Sequence, residues 1–267
     1  MFSKLRSLIF KVDPEKAHSL AIKSLKFNLV PNIFDENKND PIFQAKIFDK
    51  DLDNPIGMAA GFDKNAEVYN SLFKLGFGFV EVGTITPLKQ YGNPKPRVFR
   101  LVEDEALINR LGFNNQGAQI VKERIKRNKK LGLLGINVGP NKDSSDRLND
   151  YLIGLKTFYD DADYITINIS SPNTENLRTF HEGDKLQDLL KSIMEERKNL
   201  KSNIPIAVKV SPDISEDQVN QISEILLEHE IKAIIVSNTS EATRDKLSNI
   251  QRHQKGGLSG KPIEKKS

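Results

Sequence analysis

Residues 165–174 read ITINISSPNT. The first half is β-branched and apolar, as a strand buried on both faces is. Then Asn168, Ser170, Ser171, Pro172, Asn173 and Thr174 follow in quick succession. Such a change marks the place where a chain leaves a buried sheet. It also opens two readings of Ser171, a turn hydroxyl ahead of Pro172 or a reagent.

The same transition recurs along the chain. Apolar, β-rich runs occur at 55–60, 79–85, 133–138, 164–169, 204–210 and 233–236. Their ends read AAGFDKN, EVGTITP, NVGPNK, NISSPNT, KVSPD and SNTS. Helical patterns lie between most of them, at 65–75, 116–127, 185–200 and 215–228. The last opens with a capping box, Ser215 and Gln218. Strands alternating with helices imply parallel βα units. Gly, Asn, Ser, Thr and Lys gathered at every strand end suit a (β/α)8 TIM barrel, whose active site lies at the C-terminal ends of the strands. No GxGxxG follows the first strand and no GxxxxGK[ST] occurs, so the doubly wound nucleotide folds fit less well. About six of eight βα units are present, and the closing GGLSGKPIEKKS reads as a loop entering a helix.

Composition narrows the chemistry. The 267 residues contain no cysteine, which excludes disulfides, thiolate nucleophiles and cysteine-ligated metals. Net charge is +4, and the first thirty residues carry all of it, with six Lys/Arg against Asp13 and Glu15. The remainder balances, which argues against nucleic acid as a partner. No apolar run reaches the length of a membrane span, and no signal-peptide core is present, so a cytoplasmic location is expected. In the N-terminal arm Leu5, Leu8, Ile9 and Val12 recur at helical spacing. Asp13-Pro14-Glu15 is a helix start. A second amphipathic stretch places Ala17, Leu20, Ala21 and Leu25 on one face, and Pro31 with the polar run 35–40 ends it. The arm is either a helical cap or a lysine-flanked apolar surface for a membrane or a lipophilic ligand.

Nine motifs then occur in order: NPIGMAAGFDKN (54–65), EVGTITP (81–87), GNPKPRVFRL (92–101), INRLGFNN (108–115), GINVGPNKD (135–143), INISSPNT (167–174), IAVKVSPD (206–213), SNTS (237–240) and GGLSGKP (256–262). Together they resemble dihydroorotate dehydrogenase over essentially the whole chain. DPEKAH (13–18) and a serine in place of cysteine resemble its quinone-dependent, membrane-associated branch. The resemblance implies oxidation of dihydroorotate to orotate in pyrimidine biosynthesis, with FMN accepting the hydride and a quinone as final acceptor. It implies Ser171 as the base that takes the C5 proton, with Thr174 on the proton's route and Phe113 nearby. Asn109, Asn168, Asn173 and Asn238 match the asparagines that hold the substrate, with Thr239 beside the last. Lys64 matches the lysine that meets the substrate carboxylate and touches the flavin. Arg110, Leu111, Gly112 and Phe113 form the rest of the substrate loop.

For FMN the matching positions are Ala60, Gly61, Phe62, Asp63, Lys64, Thr84, Asn137, Asn168, Lys209, Ser237 and Gly260; no metal is expected. A charge inside the strand IAVKVS needs a partner, and the resemblance places Lys209 beside flavin N1/O2. The resemblance implies two domains. Residues 1–38 form an amphipathic helical segment for quinone and membrane, and 39–267 form the barrel, incomplete at its C-terminus. Relatives carry two further βα units whose loops hold the FMN phosphate, so weakened FMN retention is expected. The resemblance places the protein on the cytoplasmic side of the inner membrane, as a peripheral protein. His18 is either on the quinone path or a helix contact. Removing residues 1–35 is expected to abolish quinone reduction and spare flavin reduction. Two alternatives remain: another flavin-dependent pyrimidine oxidoreductase, and an inactive ligand-binding barrel fragment.

Overall fold

The structure is a computed structural model that describes residues 9–29, 41–242 and 244–266. Leu5, Leu8, Pro31 and the run 35–40 lie outside the described residues. Six parallel strands form the main sheet: β3 (Gly57–Met58), β4 (Phe79–Ile85), β7 (Leu133–Val138), β8 (Tyr164–Asn168), β9 (Ile206–Lys209) and β10 (Ala233–Ile235). Their spatial order is β10-β9-β8-β7-β4-β3. Each coincides with one of the apolar runs in the sequence. Together they form a partial TIM barrel.

Side-chain parity explains the composition of the strands. Val80, Val82, Leu134, Ile136, Ile165, Ile167, Ile206 and Val208 point outward into one large core with the helices. The alternate positions, including Phe79, Glu81, Asn137, Tyr164, Thr166, Asn168 and Lys209, lie on the opposite, concave face. Every residue of β7, β8 and β9 is buried. The concave face is apolar at the N-terminal ends of the strands. There the hairpin of β1 (Ala45–Ile47) and β2 (Lys50–Leu52) packs Ile47, Phe48 and Leu52 against Phe79, Tyr164 and Ala207. The concave face turns polar toward the C-terminal ends.

Five helices cover the convex side: α2 (Tyr69–Lys74), α3 (Ala118–Lys126), α4 (Arg147–Phe158), α5 (Gly183–Asn199) and α6 (Glu216–Glu228). The sequence pattern misses α4, which Asp146 caps by accepting the Asn149 N–H at 3.0 Å. It also starts α2 too early. The buried Asp63 carboxylate accepts the N–H groups of Asn65, Glu67 and Val68, holding that stretch as a turn until residue 69.

A second sheet was not legible in the sequence. It is antiparallel, with order β11-β6-β5, and contains β5 (Val98–Leu101), β6 (Ala106–Asn109) and β11 (Gly257–Gly260). The segment read as a loop entering a helix starts instead as a strand, which pairs Gly257 with Asn109, and then does enter a helix, a 3-10 helix over Lys261–Lys266. Its core holds Phe99, Leu101, Ile108, Leu258 and Ile263. This sheet carries Asn109 to the mouth of the half-barrel.

The N-terminal helix α1 (Pro14–Lys26) begins as expected, with Asp13 accepting the Lys16 N–H at 2.9 Å. Ile22 and Leu25 are buried in the main core, and the Ser71 hydroxyl donates to the Leu25 carbonyl. Leu20, placed by periodicity on the same face as Leu25, is 57% exposed.

Candidate active site

Two clefts meet at the C-terminal end of the sheet. The inner one has a volume of about 330 Å³. Ala60, Gly61 and Lys64 enter it from the loop after β3, and Gly83 and Thr84 from β4. Asn109 ends β6, and Leu111, Gly112, Phe113 and Asn114 come from the loop after it. Asn168 ends β8, Ser171 and Asn173 follow it, and Lys209 ends β9. Ser237, Asn238 and Thr239 follow β10. Fifteen of the residues named from the sequence thus line one cavity. Gly83, Asn114, Ser259 and Ile263 also line it and were not named.

The floor is one continuous hydrogen-bonded chain. Asn238 Nδ2 donates to Ser170 Oγ at 2.9 Å, and that hydroxyl donates to Asn168 Oδ1 at 2.8 Å. Asn168 Nδ2 donates to Thr84 Oγ1 at 2.9 Å, and Thr84 donates to Asn137 Oδ1 at 2.6 Å. Asn137 Nδ2 donates to Glu81 Oε1 at 2.8 Å. Glu81 Oε2 also accepts from Tyr164 and Thr166, at 3.0 and 2.8 Å. A fully paired buried network of this kind fixes its rotamers. Asn137 therefore lies beneath the cavity and reaches it through Thr84.

Glu81 was not singled out in the sequence. The signal was available, as an acid inside an otherwise apolar strand; it is 3% exposed. Above it Lys209 is 8% exposed. Burial lowers the Lys209 ammonium pKa, and Glu81 opposes that shift.

Ser171 is 4% exposed, and its Oγ accepts the Asn173 N–H at 3.2 Å. Asn173 Nδ2 donates to Asn109 Oδ1 at 3.4 Å, closing the rim above it. Thr174 is buried, and its Oγ1 has no protein partner. Lys64 donates to the Gly61 carbonyl. Its pKa is lowered to about 8, chiefly by burial, with the Glu15 charge opposing.

Besides Asn137, four of the named substrate and flavin residues stand apart from the cavity. Arg110 turns away, donating to Gln254 Oε1, Lys255 O and Pro96 O, with its guanidinium over the Phe99 ring. Asp63 spends its carboxylate on backbone N–H groups, while its carbonyl accepts the Gly83 N–H. Phe62 faces the outer cleft. Gly260 is exposed on β11, opposite Ala106.

The outer cleft, about 670 Å³, lies between α1 and the barrel. Glu15, His18, Ser19 and Ile22 form one wall; Phe62, Val98, Arg100 and Leu107 form the other. His18 meets Phe62 edge-on at 5.2 Å. Burial and the Lys64 charge lower its pKa to about 4, so it is neutral near pH 7. Gly61, Lys64, Leu111 and Asn114 line both clefts and form the partition between them.

Comparison with known proteins gives the family. The family model described as Dihydroorotate dehydrogenase matches residues 42–267. Dihydroorotate dehydrogenase (quinone) of Agrobacterium fabrum is 46% identical over 268 residues, which cover 98% of this chain and 73% of that protein. The protein of the same name from Bartonella tribocorum is 47% identical over 98% of this chain and 73% of its own length. The crystal structure of ligand-free type DHODH from Eimeria tenella superposes with a TM-score of 0.89 at 37% identity, covering 96% of this chain and 77% of that one. The partial barrel, the polar strand ends and these matches along nearly its full length place this chain in the dihydroorotate dehydrogenase family, in its quinone-dependent branch.

Proposed function

We propose that the inner cleft oxidises dihydroorotate to orotate against the flat ring of an FMN, and that a quinone in the outer cleft is the final electron acceptor. The observation that carries this reading is the 330 Å³ cavity in which Ser171, two lysines and five asparagines converge.

The cavity suits a flat, polar ring. Gly61 has φ +111°, and a Cβ there would project into open space. Gly83 has φ +119°, and a Cβ there would meet the Asn137 carbonyl at 2.4 Å. Both positions therefore need glycine, and the first leaves room for a ring face. Thr239 Oγ1 and Asn114 Oδ1 are buried without a protein partner, as groups awaiting a ligand are. Ala60, Gly61, Thr84, Asn168, Lys209 and Ser237 would hold the ring, with Asn137 and Glu81 bracing them from below. When bound, FMN would accept the hydride from C6 of dihydroorotate and release its electrons to the quinone.

The chain supplies the rest. Ser171 Oγ takes the C5 proton, and the Thr174 hydroxyl, buried without a protein partner, passes it on. Asn109, Asn168, Asn173 and Asn238 each offer a donor and an acceptor to the ring amides. Lys64 pairs with the substrate carboxylate, and Lys209 supplies positive charge under the reacting face. Adding dihydroorotate anaerobically to the FMN-loaded chain should bleach the visible flavin band and yield orotate. A band that stays unbleached would overturn the proposal.

The outer cleft fits a lipophilic acceptor with a polar head, because Ile22, Phe62, Val98, Leu107 and Leu111 line it among charged groups and it shares the partition with the inner cleft. Leu20, Phe27 and Leu29 are exposed on and just after α1, with Lys16 and Lys23 beside them. That surface suits peripheral attachment to an anionic leaflet, which we place on the cytoplasmic side of the inner membrane. No described helix is long and apolar enough to cross a membrane. In this reading residues 1–38 serve quinone and membrane, and 39–267 carry the chemistry. Deleting residues 1–35 would strip Ile22 and Leu25 from the core, so substitution is the cleaner test. Ser19→Trp should fill the outer cleft and raise KM for quinone about tenfold, equivalent to about 1.4 kcal/mol. Bleaching by dihydroorotate should keep its rate. An unchanged quinone KM would place the acceptor elsewhere.

A further inference from the structure

Glu15 stands on α1, in the wall of the outer cleft, yet its contacts lead to the inner one. Its carboxylate takes both edges of Arg97, with Nη2 at 2.9 Å from Oε1 and Nε at 3.1 Å from Oε2. Arg97 is 6% exposed. A bidentate pair of this kind fixes orientation as well as charge. The remaining nitrogen, Nη1, donates to the carbonyls of Tyr91 at 2.6 Å and Asn93 at 3.0 Å. Asn93 in turn holds the rim of the inner cleft. Its N–H donates to the Leu111 carbonyl, and its Nδ2 donates to the carbonyls of Arg110 at 3.0 Å and Asn173 at 3.4 Å.

The same carboxylate faces Lys64, which lines both clefts. Other charged or titratable groups surround that ammonium. From α1 come His18, Lys23 and Lys26; from the loop after β3, Asp63 and Glu67; from β5 and its approach, Arg97 and Arg100. Lys209 lies across the inner cleft. Glu67 is paired with Lys26 at 2.7 Å, and Asp63 is engaged by backbone N–H groups. Glu15 carries the Arg97 pair and a longer contact to Lys95 at 3.7 Å, and it is still the acid whose charge acts most on Lys64.

We propose that Glu15 is a positioning residue for dihydroorotate, anchoring Arg97 beneath the rim and supplying the negative charge that faces Lys64. The inference rests on the function proposed above and extends it, because it ties the quinone-side helix to the substrate side. Glu15 raises the Lys64 pKa and Arg97 lowers it. Removing either partner breaks the same ion pair but moves Lys64 in opposite directions, which a purely structural role would not do.

The test uses the full chain with Glu15→Gln and Arg97→Gln, and follows Lys64 by its pH-dependent acylation with an amine-reactive reagent, mapped by peptide mass spectrometry. Only the neutral amine reacts. The wild-type profile should have its midpoint near pH 8, to which burial lowers the Lys64 ammonium. Glu15→Gln should shift it to lower pH and Arg97→Gln to higher pH. At pH 8 Glu15→Gln should also raise KM for dihydroorotate, by about fivefold for a downward shift of one pH unit because the charged fraction of Lys64 falls from about a half to about a tenth, with a smaller effect on kcat. Shifts of the same sign in both variants, or none, would overturn the proposal. If one variant does not fold, the sign of the other's shift still decides. Failure of the wild-type chain to bleach with dihydroorotate would defeat the functional reading instead, while the acylation profiles would still decide the charge assignment.

Discussion

Ser171→Ala should slow anaerobic flavin reduction by dihydroorotate by roughly 10²–10⁴-fold, the range that a positioned general base supplies. Orotate affinity should change little, because the Asn109, Asn173 and Asn238 amides and Lys64 remain in place around the cavity. The structural cost should also be small. Ser171 Oγ accepts one backbone N–H, that of Asn173, at 3.2 Å. Losing one such bond costs about 1 kcal/mol, far less than the expected loss of rate. Stopped-flow bleaching, orotate titration and thermal unfolding on the same preparation separate the three effects. If the variant binds orotate normally and still reduces flavin at the wild-type rate, Ser171 is a turn residue and the proton leaves by another group.

How much of this could be read from the chain depends on the range of the interactions. The six barrel strands were legible because parallel strands covered on both sides are continuously apolar, as in LLGINV and YITIN. The polar residues that interrupt them occupy alternate positions, and parity alone sends Asn137, Thr166 and Lys209 to the concave face. The antiparallel sheet was not legible. Its β6–β11 pairing joins Asn109 to Gly257, and no local pattern announces a partner so far along the chain. Side-chain direction was equally hidden. Arg110 belongs to the rim loop by position, yet its guanidinium finds Gln254 and the Phe99 ring on the far side. Asp63 sits beside Lys64 in the motif, but its carboxylate holds a turn. The partners of Glu81 were hidden for the same reason, since Asn137, Tyr164 and Thr166 come from β7 and β8, far along the chain.

Glu81 leads to the second large effect. Lys209→Met should slow flavin reduction by at least about 10²-fold, since it removes a fixed charge from beneath the reacting ring. It should also destabilise the fold by about 1–3 kcal/mol, because the Glu81 carboxylate, 3% exposed, loses the cation above it. The two losses have different origins, and a second substitution separates them. Glu81→Gln removes the stranded charge while keeping an oxygen for the Tyr164 and Thr166 hydroxyls. The double variant should therefore recover stability relative to Lys209→Met without recovering the rate.

Stability against pH gives a further check. Burial holds the folded-state pKa of Lys209 below its ordinary value of 10.5, so between those two values the unfolded chain binds more protons. Wild-type stability gains a positive slope with pH across that window, and Lys209→Met loses that slope. Urea unfolding at several pH values measures it. Additive single-variant losses in the double variant would mean that the two buried charges are uncoupled. Lys209 would then owe its place in the strand to the ligand alone, and the Glu81 network would serve only to hold Asn137 beneath the ring.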